Sequence, residues 1–156
     1  MLLHRRAVLF GLLSAATPAF VRAESVPQMT VYKDPNCGCC GAWVEHVKRA
    51  GISTNAIESS TMDAVKKQFG VPDALMSCHT AEIGGYVIEG HVPAAEILRL
   101  LRERPAAKGL AVADMPTNSP GMEVRGAPDE QYNVMLFSTN SVAQRYATYR
   151  GAKRIS

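Results

Sequence analysis

Three cysteines within four residues constrain this 156-residue chain more than any other feature of its sequence. The run Cys37-Gly38-Cys39-Cys40 follows a strand predicted over residues 29–33 and precedes a helix predicted over residues 42–50. Free N–H groups and the dipole at a helix N-terminus stabilise a thiolate relative to a thiol. We therefore interpret this cluster as a chemical site rather than as a set of structural disulfides.

Two cysteine spacings overlap in this run. Cys37 and Cys40 form a C-x-x-C pair, the spacing of dithiol oxidoreductases, and they are the candidate catalytic pair. Cys37 and Cys39 form a C-x-C pair, which can hold a soft metal, and copper(I) suits thiolate and thioether ligands. A structural zinc site and a plain disulfide with spare thiols are the alternatives. We favour a soft-metal site with redox character, because three sulfurs crowd one turn and no His-x(3–5)-His pair is present.

The order of predicted elements indicates an α/β fold. Apolar spacing and turn residues predict strands over 29–33, 54–57, 78–83 and 86–89, with helices over 42–50, after Thr61 and after Pro93. Asp34-Pro35-Asn36 is interpreted as a turn before the cysteine run, and Gly70 as the end of the second helix. Gly84-Gly85 makes the third and fourth strands a hairpin. The resulting order, β-α-β-α-β-β-α, is typical of the thioredoxin-like arrangement.

The fourth cysteine, Cys78, stands alone in the sequence. A lone cysteine is usually a small buried apolar residue. In a thioredoxin-like fold, however, the entry to the third strand lies beside the N-terminus of the first helix. The fold prediction therefore implies that Cys78 converges with the other three sulfurs.

Histidines and methionines offer further candidate ligands. His79 would point away from Cys78 if the strand has begun there, and a structural role is as reasonable as ligation for both His79 and His91. His46 lies within the first helix, and we interpret it as structural or exposed. Met115 and Met122 lie in a Pro/Gly-rich loop, where core packing is less natural, so we predict that their thioethers close over a copper site.

The first 23 residues predict export. A basic start with Arg5 and Arg6 precedes a short apolar stretch, and Val21-Arg22-Ala23 offers a signal-peptidase site with cleavage after Ala23. The paired arginines favour the twin-arginine route over general secretion.

Charge excludes one class of partner. The chain has 17 Lys+Arg and 14 Asp+Glu, and three of those arginines lie in the leader, so the mature chain is balanced. That balance argues against nucleic-acid binding, and no other apolar run is long enough for a membrane span.

The chain after residue 104 is interpreted as an extension. Its first part is rich in proline and glycine, and residues 133–137 and 142–149 predict a final β-hairpin. The predicted organisation is a signal peptide over 1–23, a thioredoxin-like core over 24–104, and an extension over 105–156 that encloses the metal and ends in the hairpin.

Four ordered blocks resemble the CopG-type family of exported proteins with a C-x-C-C motif. They read YKDPNCGCCGAW at 32–43, SCHTA at 77–81, GYVIEGHVPA at 85–94, and GLAV, MP and SPGME between 109 and 123. The resemblance implies a thioredoxin-like domain with a C-terminal extension, and a role in copper resistance in Gram-negative bacteria. It also implies a cysteine-bridged multi-copper cluster held by Cys37, Cys39, Cys40 and Cys78, with the loop around Met115 and Met122 helping to enclose it.

Charge also favours several copper ions per chain. Four thiolates carry four negative charges, and a single copper(I) would leave most of that charge uncompensated in a partly dry site. We therefore predict a periplasmic protein that holds several copper(I) ions and couples copper(I)/copper(II) interconversion to dithiol chemistry. The alternatives are a periplasmic thiol–disulfide oxidoreductase acting on proteins and a passive copper chaperone or store. We expect a monomer whose partners are copper ions and periplasmic copper-efflux or copper-handling proteins.

Overall fold

The computed structural model describes residues 25–139 and 141–156 and has a mixed α/β architecture. The predicted signal peptide, residues 1–23, lies outside the described residues. Within these residues three α-helices accompany the sheet, α1 Gly38–Arg49, α2 Met62–Phe69 and α3 Ala94–Glu103, and a short 3-10 helix, Asp73–Leu75, follows α2. The strands are β1 Met29–Lys33, β2 Thr54–Glu58, β3 His79–Ile83, β4 Tyr86–Glu89, β5 Gly109–Ala111, β6 Gln131–Ser138, β7 Ser141–Arg150 and β8 Lys153–Arg154.

All eight described strands belong to one sheet, in the order β2-β1-β3-β4-β5-β6-β7-β8. Strand β1 pairs parallel with β2 and antiparallel with β3, and β3 pairs antiparallel with β4. Strand β5 joins β4 in parallel, and β6 joins β5 antiparallel. The C-terminal part of the chain therefore continues the sheet begun by the N-terminal part.

The sheet packs apolar side chains on both faces because successive residues of a strand point to opposite sides. One face meets α1 and α3, where Trp43, Val47, Ile97 and Leu100 are buried in the larger core. The opposite face carries a smaller core, in which Phe69 at the end of α2 and the segment after it cover β4, β5 and β6. Its buried members are Val71, Leu75, Val87, Ala111 and Phe137.

Helix α1 begins earlier than the apolar spacing predicted. It starts at Gly38, so Cys39 and Cys40 occupy its first turn and Cys37 is its N-cap residue. The carbonyl of Cys37 accepts the N–H of Gly41. The apolar pattern of the sequence did not reveal this first turn, because cysteine and glycine side chains are small. Of the three cysteines in the run, only Cys40 is fully buried.

The predicted class, α/β, is confirmed, and so is the hairpin that places β3 beside β4. Helix α2 ends at Gly70, which has a φ of 68°, as the glycine predicted. Strands β6 and β7 pair antiparallel, and the short strand β8 then pairs with β7. The last described pairing of the chain is thus β7 with β8, which the sequence pattern did not predict. No helix within the described part of the chain is long and apolar enough to cross a bilayer.

Candidate metal centre

The turn before helix α1 fixes the direction in which the cysteine run enters the helix. The carboxylate of Asp34 accepts the N–H of Asn36 at 2.8 Å, and the carbonyl of Asp34 accepts the N–H of Cys37 at 3.1 Å. This turn confirms the interpretation of Asp34-Pro35-Asn36. It places the cysteines at the helix N-terminus, where free N–H groups favour thiolates.

The structure brings all four cysteines together. Their Sγ atoms lie within 4.8 Å of one another, although Cys78 is about forty positions later in the chain. A disulfide joins Cys37 and Cys40, while Cys39 and Cys78 are free thiols. Cys39 Sγ lies 3.5 Å from Cys37 Sγ and 3.8 Å from Cys78 Sγ.

Two histidines lie beside Cys78. His91 Nε2 is 3.0 Å from Cys78 Sγ, and His91 Nδ1 is 2.8 Å from the carbonyl oxygen of Pro120. A carbonyl only accepts, so Nδ1 carries the proton and Nε2 presents its lone pair to the Cys78 thiol. His79 Nδ1 lies 3.3 Å from Cys78 Sγ, so His79 faces the cluster although strand β3 begins at that residue.

The His79 side chain has an unusual environment. It is completely buried, and within the described part of the chain its Nε2 atom has no hydrogen-bond partner. Its ring lies 4.3 Å from the Trp43 ring and 5.1 Å from the His91 ring, measured between centroids. A buried nitrogen without a partner is costly, and folded proteins retain few of them.

Burial sets the protonation of this group. Desolvation, reinforced by the neighbouring Cys39, raises the pKa of the Cys78 thiol to about 12. Burial, together with His91 and Lys66, holds the pKa of His79 well below its usual range. The pKa of His91 is also lowered, chiefly by burial. Cys78, His79 and His91 are therefore all neutral at pH 7 in the disulfide form.

The extension forms one wall of the centre. Pro120 supplies the carbonyl that orients His91, and Gly121 lies against helix α1 with a φ of 86°. A Cβ atom at Gly121 would lie 2.7 Å from the backbone nitrogen of Trp43 and 2.9 Å from the backbone carbonyl oxygen of Cys39. Only glycine fits this close approach of the extension to the first turn of α1.

The two candidate methionines differ in exposure. Met122 is partly buried, directly after Gly121, and its backbone is held by hydrogen bonds with Asn118 and Ser119. Met115 is 51% exposed. Both lie on the segment that carries Pro120, and their ligation of a metal stays a prediction.

A buried ionic network, not predicted from the sequence, supports the Cys78 segment from behind. Glu89 accepts hydrogen bonds from Lys66 Nζ at 2.6 Å, from the Thr80 hydroxyl at 2.6 Å and from the Ser77 N–H at 2.7 Å. The Ser77 hydroxyl in turn donates to the carbonyl of Asp114 in the extension. Nothing in the local pattern of α2 distinguishes Lys66 from its exposed neighbour Lys67.

His46 has a structural role, as its place within helix α1 suggested. Its Nε2 atom accepts the N–H of Ala94 at 3.1 Å, and Ala94 is the first residue of α3. The nearby Trp43 donates its indole N–H to the carbonyl of Val92 at 2.9 Å. These two bonds fix α1 relative to the segment that carries His91.

The donor set fits a soft metal ion. Among the residues that the structure describes, two groups of side chains could hold a metal, and Cys78 belongs to both. They are Cys37, Cys39, Cys40 and Cys78, and Cys78, His79 and His91. Thiolate sulfur favours copper(I), whereas imidazole nitrogen accepts copper, zinc, iron or nickel. Because the disulfide occupies two sulfurs, only its reduction makes the full four-sulfur set available.

A family model described as a protein of unknown function, DUF411, matches residues 75–122, which include Cys78, both histidines of the centre and the Pro120 loop. A search of curated proteins found no match.

Two solved structures resemble the chain over most of its length. "Copper resistance protein copG- Form 2" is 42% identical and superposes with a TM-score of 0.75, covering 81% of this chain and 99% of that one. "Copper resistance protein copG- Form 1" is 43% identical with a TM-score of 0.73, covering 80% and 99%. At this identity and coverage, the protein belongs to the CopG family.

Proposed function

We propose that this protein binds copper(I) through Cys37, Cys39, Cys40 and Cys78 and protects the cell against copper. The observation that carries the proposal is the convergence of the four Sγ atoms within 4.8 Å. It is supported by the similarity to two structures that are named as copper resistance proteins. Copper is the cargo of the site, and thiolates are the ligands that select its reduced ion.

The charge of the cluster supports binding of more than one copper ion. Four thiolates in a partly buried site need about four positive charges for neutrality, and each copper(I) supplies one. Closely spaced sulfurs can each bridge two ions. His79 and His91 are neutral donors at the edge of the cluster, so they can add ligands without adding charge.

The proposal includes a redox role for the C-x-x-C pair. Oxidation of the Cys37 and Cys40 thiols to the disulfide releases two electrons and two protons, enough to reduce two copper(II) ions to copper(I). The reverse change, reduction of the disulfide by an external thiol or electron donor, restores both sulfurs as ligands. The pairing of Cys37 with Cys40 supports this assignment of the redox pair.

The remaining parts of the proposal concern the scaffold and the compartment. A thioredoxin-like core is supported by the strand order β2-β1-β3-β4, in which β3 is antiparallel to the others. Localisation of the protein to the periplasm is supported by the signal-peptide pattern of residues 1–23. We also propose that the protein is a monomer and that it delivers copper to periplasmic efflux or copper-handling proteins.

A second candidate function is thiol–disulfide exchange with other proteins. The disulfide at a helix N-terminus in a C-x-x-C spacing favours it. That function requires only Cys37 and Cys40, and it leaves the convergence of Cys39, Cys78 and two histidines without a role.

Copper content per chain separates the two functions. The protein is reduced, reconstituted anaerobically with copper(I), desalted and analysed for copper, as wild type and as Cys78→Ser. Met135→Leu, which removes a sulfur in strand β6, is the matched control. We expect several copper ions in the wild type and the control, and a clear loss in Cys78→Ser. Absence of tight copper from the wild type would contradict the proposal and favour protein disulfide exchange.

A further inference from the structure

We propose that the disulfide is mobile: it migrates from Cys37–Cys40 through Cys39 to Cys78 by exchange within the chain. Short sulfur–sulfur contacts connect the two free thiols to the disulfide. Cys39 Sγ is 3.5 Å from Cys37 Sγ, and Cys78 Sγ is 3.8 Å from Cys39 Sγ. No oxidant or metal takes part, so this activity is separate from copper binding.

The first exchange takes place within the first turn of α1. The Cys39 sulfur, as thiolate, attacks Cys37 Sγ, a Cys37–Cys39 bond forms, and the Cys37–Cys40 bond breaks with its electron pair on Cys40. The proton that leaves Cys39 is recovered by Cys40. Cys39 and Cys40 both lie in the first turn of α1, so the attacking sulfur and the leaving sulfur belong to the same turn.

The second exchange extends the disulfide to Cys78. Its sulfur attacks Cys39 Sγ, a Cys39–Cys78 bond forms, and the Cys37–Cys39 bond breaks to release Cys37 as thiolate. His91 Nε2, 3.0 Å from Cys78 Sγ, is placed to accept the proton of the attacking thiol. The Pro120 carbonyl keeps that nitrogen unprotonated by holding the other ring proton at Nδ1. The proton finally passes to Cys37.

The migration changes which sulfurs are free without changing the oxidation level. Every state has one disulfide and two thiols. Before the two exchanges the free thiols are Cys39 and Cys78, and after them the free thiols are Cys37 and Cys40. Oxidising equivalents received at the C-x-x-C pair can therefore be stored at Cys39–Cys78, while the C-x-x-C pair is again a dithiol.

Mapping of the free thiols tests the proposal. Metal-free protein with one disulfide per chain is incubated at about pH 8, where thiolates exchange. It is then quenched and denatured in acid, and its thiols are blocked with N-ethylmaleimide at acidic pH for assignment by tandem mass spectrometry. We expect label at Cys39 and Cys78, and also label at Cys40 and Cys37 that increases with incubation.

Two variants assign the steps. Cys39→Ser lacks the sulfur through which the disulfide reaches Cys78, so label is expected at Cys78 alone. In Cys78→Ser the first step remains and the second is lost, so label is expected at Cys39 and Cys40 but not at Cys37. Tenfold dilution of the wild type should leave the label distribution unchanged, because the exchange is intramolecular.

A wild type whose label at Cys40 does not exceed that of Cys39→Ser would overturn the proposal. Label at Cys40 that persists in Cys39→Ser would also overturn it, since exchange that bypasses Cys39 would then be responsible. Label at Cys40 that falls on dilution would overturn it as well, since exchange between chains would then be responsible. A second measurement uses oxidised Cys40→Ser, in which peptides linked through Cys39 and Cys78 are expected. All of these measurements are made without copper, so their failure leaves the copper proposal intact.

Discussion

Lys66 Nζ lies 2.6 Å from Glu89 Oε1, and both side chains are almost completely buried. Lysine and glutamate are rarely buried unless they are paired. Here the glutamate also accepts the N–H of Ser77, the residue that precedes Cys78. The ion pair therefore joins helix α2 and strand β4 to the segment that positions one sulfur of the metal centre.

Removal of one partner of this pair should be strongly destabilising. Lys66→Met leaves the Glu89 carboxylate buried without its counter-charge, which typically costs about 3–5 kcal/mol. The double variant Lys66→Met/Glu89→Gln removes both charges and should cost less than Lys66→Met alone. Urea unfolding of the metal-free protein measures both values. Lys67→Met, at an exposed neighbouring position, is the control. Equal stability of Lys66→Met and the control would contradict the role of the pair.

Gly121 and Gly126 provide a matched test of how closely the extension approaches helix α1. Both have a positive φ, 86° and 81°, so alanine strains either position by about 1–2 kcal/mol. At Gly126 the added Cβ meets nothing within 4 Å, whereas at Gly121 it meets backbone atoms of Trp43 and Cys39. Gly121→Ala should therefore cost about 1–3 kcal/mol more than Gly126→Ala in urea unfolding. Equal costs for the two variants would show that the loop moves freely away from α1.

His46 should make the stability of the metal-free protein depend on pH. Burial, and next Arg49, lower the pKa of His46, while Glu123 acts in the opposite direction. The unfolded chain, with a histidine pKa of about 6.5, binds protons before the folded protein does. The contribution is fully present above about pH 6.5, and it is lost as the pH falls from there through the lower folded-state value.

His46→Gln isolates this contribution, because glutamine retains an acceptor for the Ala94 N–H but takes up no proton. His79 and His91, whose pKa values are also lowered, are unchanged in this variant. The free energy of unfolding, measured between about pH 8 and pH 5, should fall less steeply in His46→Gln than in the wild type. Identical slopes would mean that His46 titrates alike in the folded and unfolded chains.

Oxidation should lower the copper capacity of the protein. The Cys37–Cys40 disulfide removes two of the four sulfurs from the ligand set. Copper per chain should therefore be smaller after anaerobic copper(I) loading of the disulfide form than after loading of the fully reduced form. Thiol counting on the same samples verifies the two states. Full copper content in a chain that still contains the disulfide would rule out the proposed link between redox state and binding.

The local sequence was sufficient wherever a short-range pattern decides the structure. Alternation around Gly84-Gly85 predicted the β3–β4 hairpin, and Gly70 predicted the end of α2. The cysteine run between a strand and a helix predicted a reactive cluster, because helix N-termini favour thiolates wherever they occur. The starting residue of α1 was missed, since small cysteine and glycine side chains give little apolar periodicity.

Only the tertiary structure decided which distant residues share the site. The sequence predicted the cysteine convergence solely through a fold hypothesis, and the contact of His79 and His91 with Cys78 depends on how β3, β4 and the following segment pack. The Lys66–Glu89 pair and the approach of Gly121 to Cys39 have no local signal, because both join segments that are far apart in the chain. The sequence determined the chemistry of the sulfurs, namely soft donors at a helix N-terminus. Packing decided their partners, since burial and distance set the charges and contacts of a site, and neither is encoded in residue spacing along the chain.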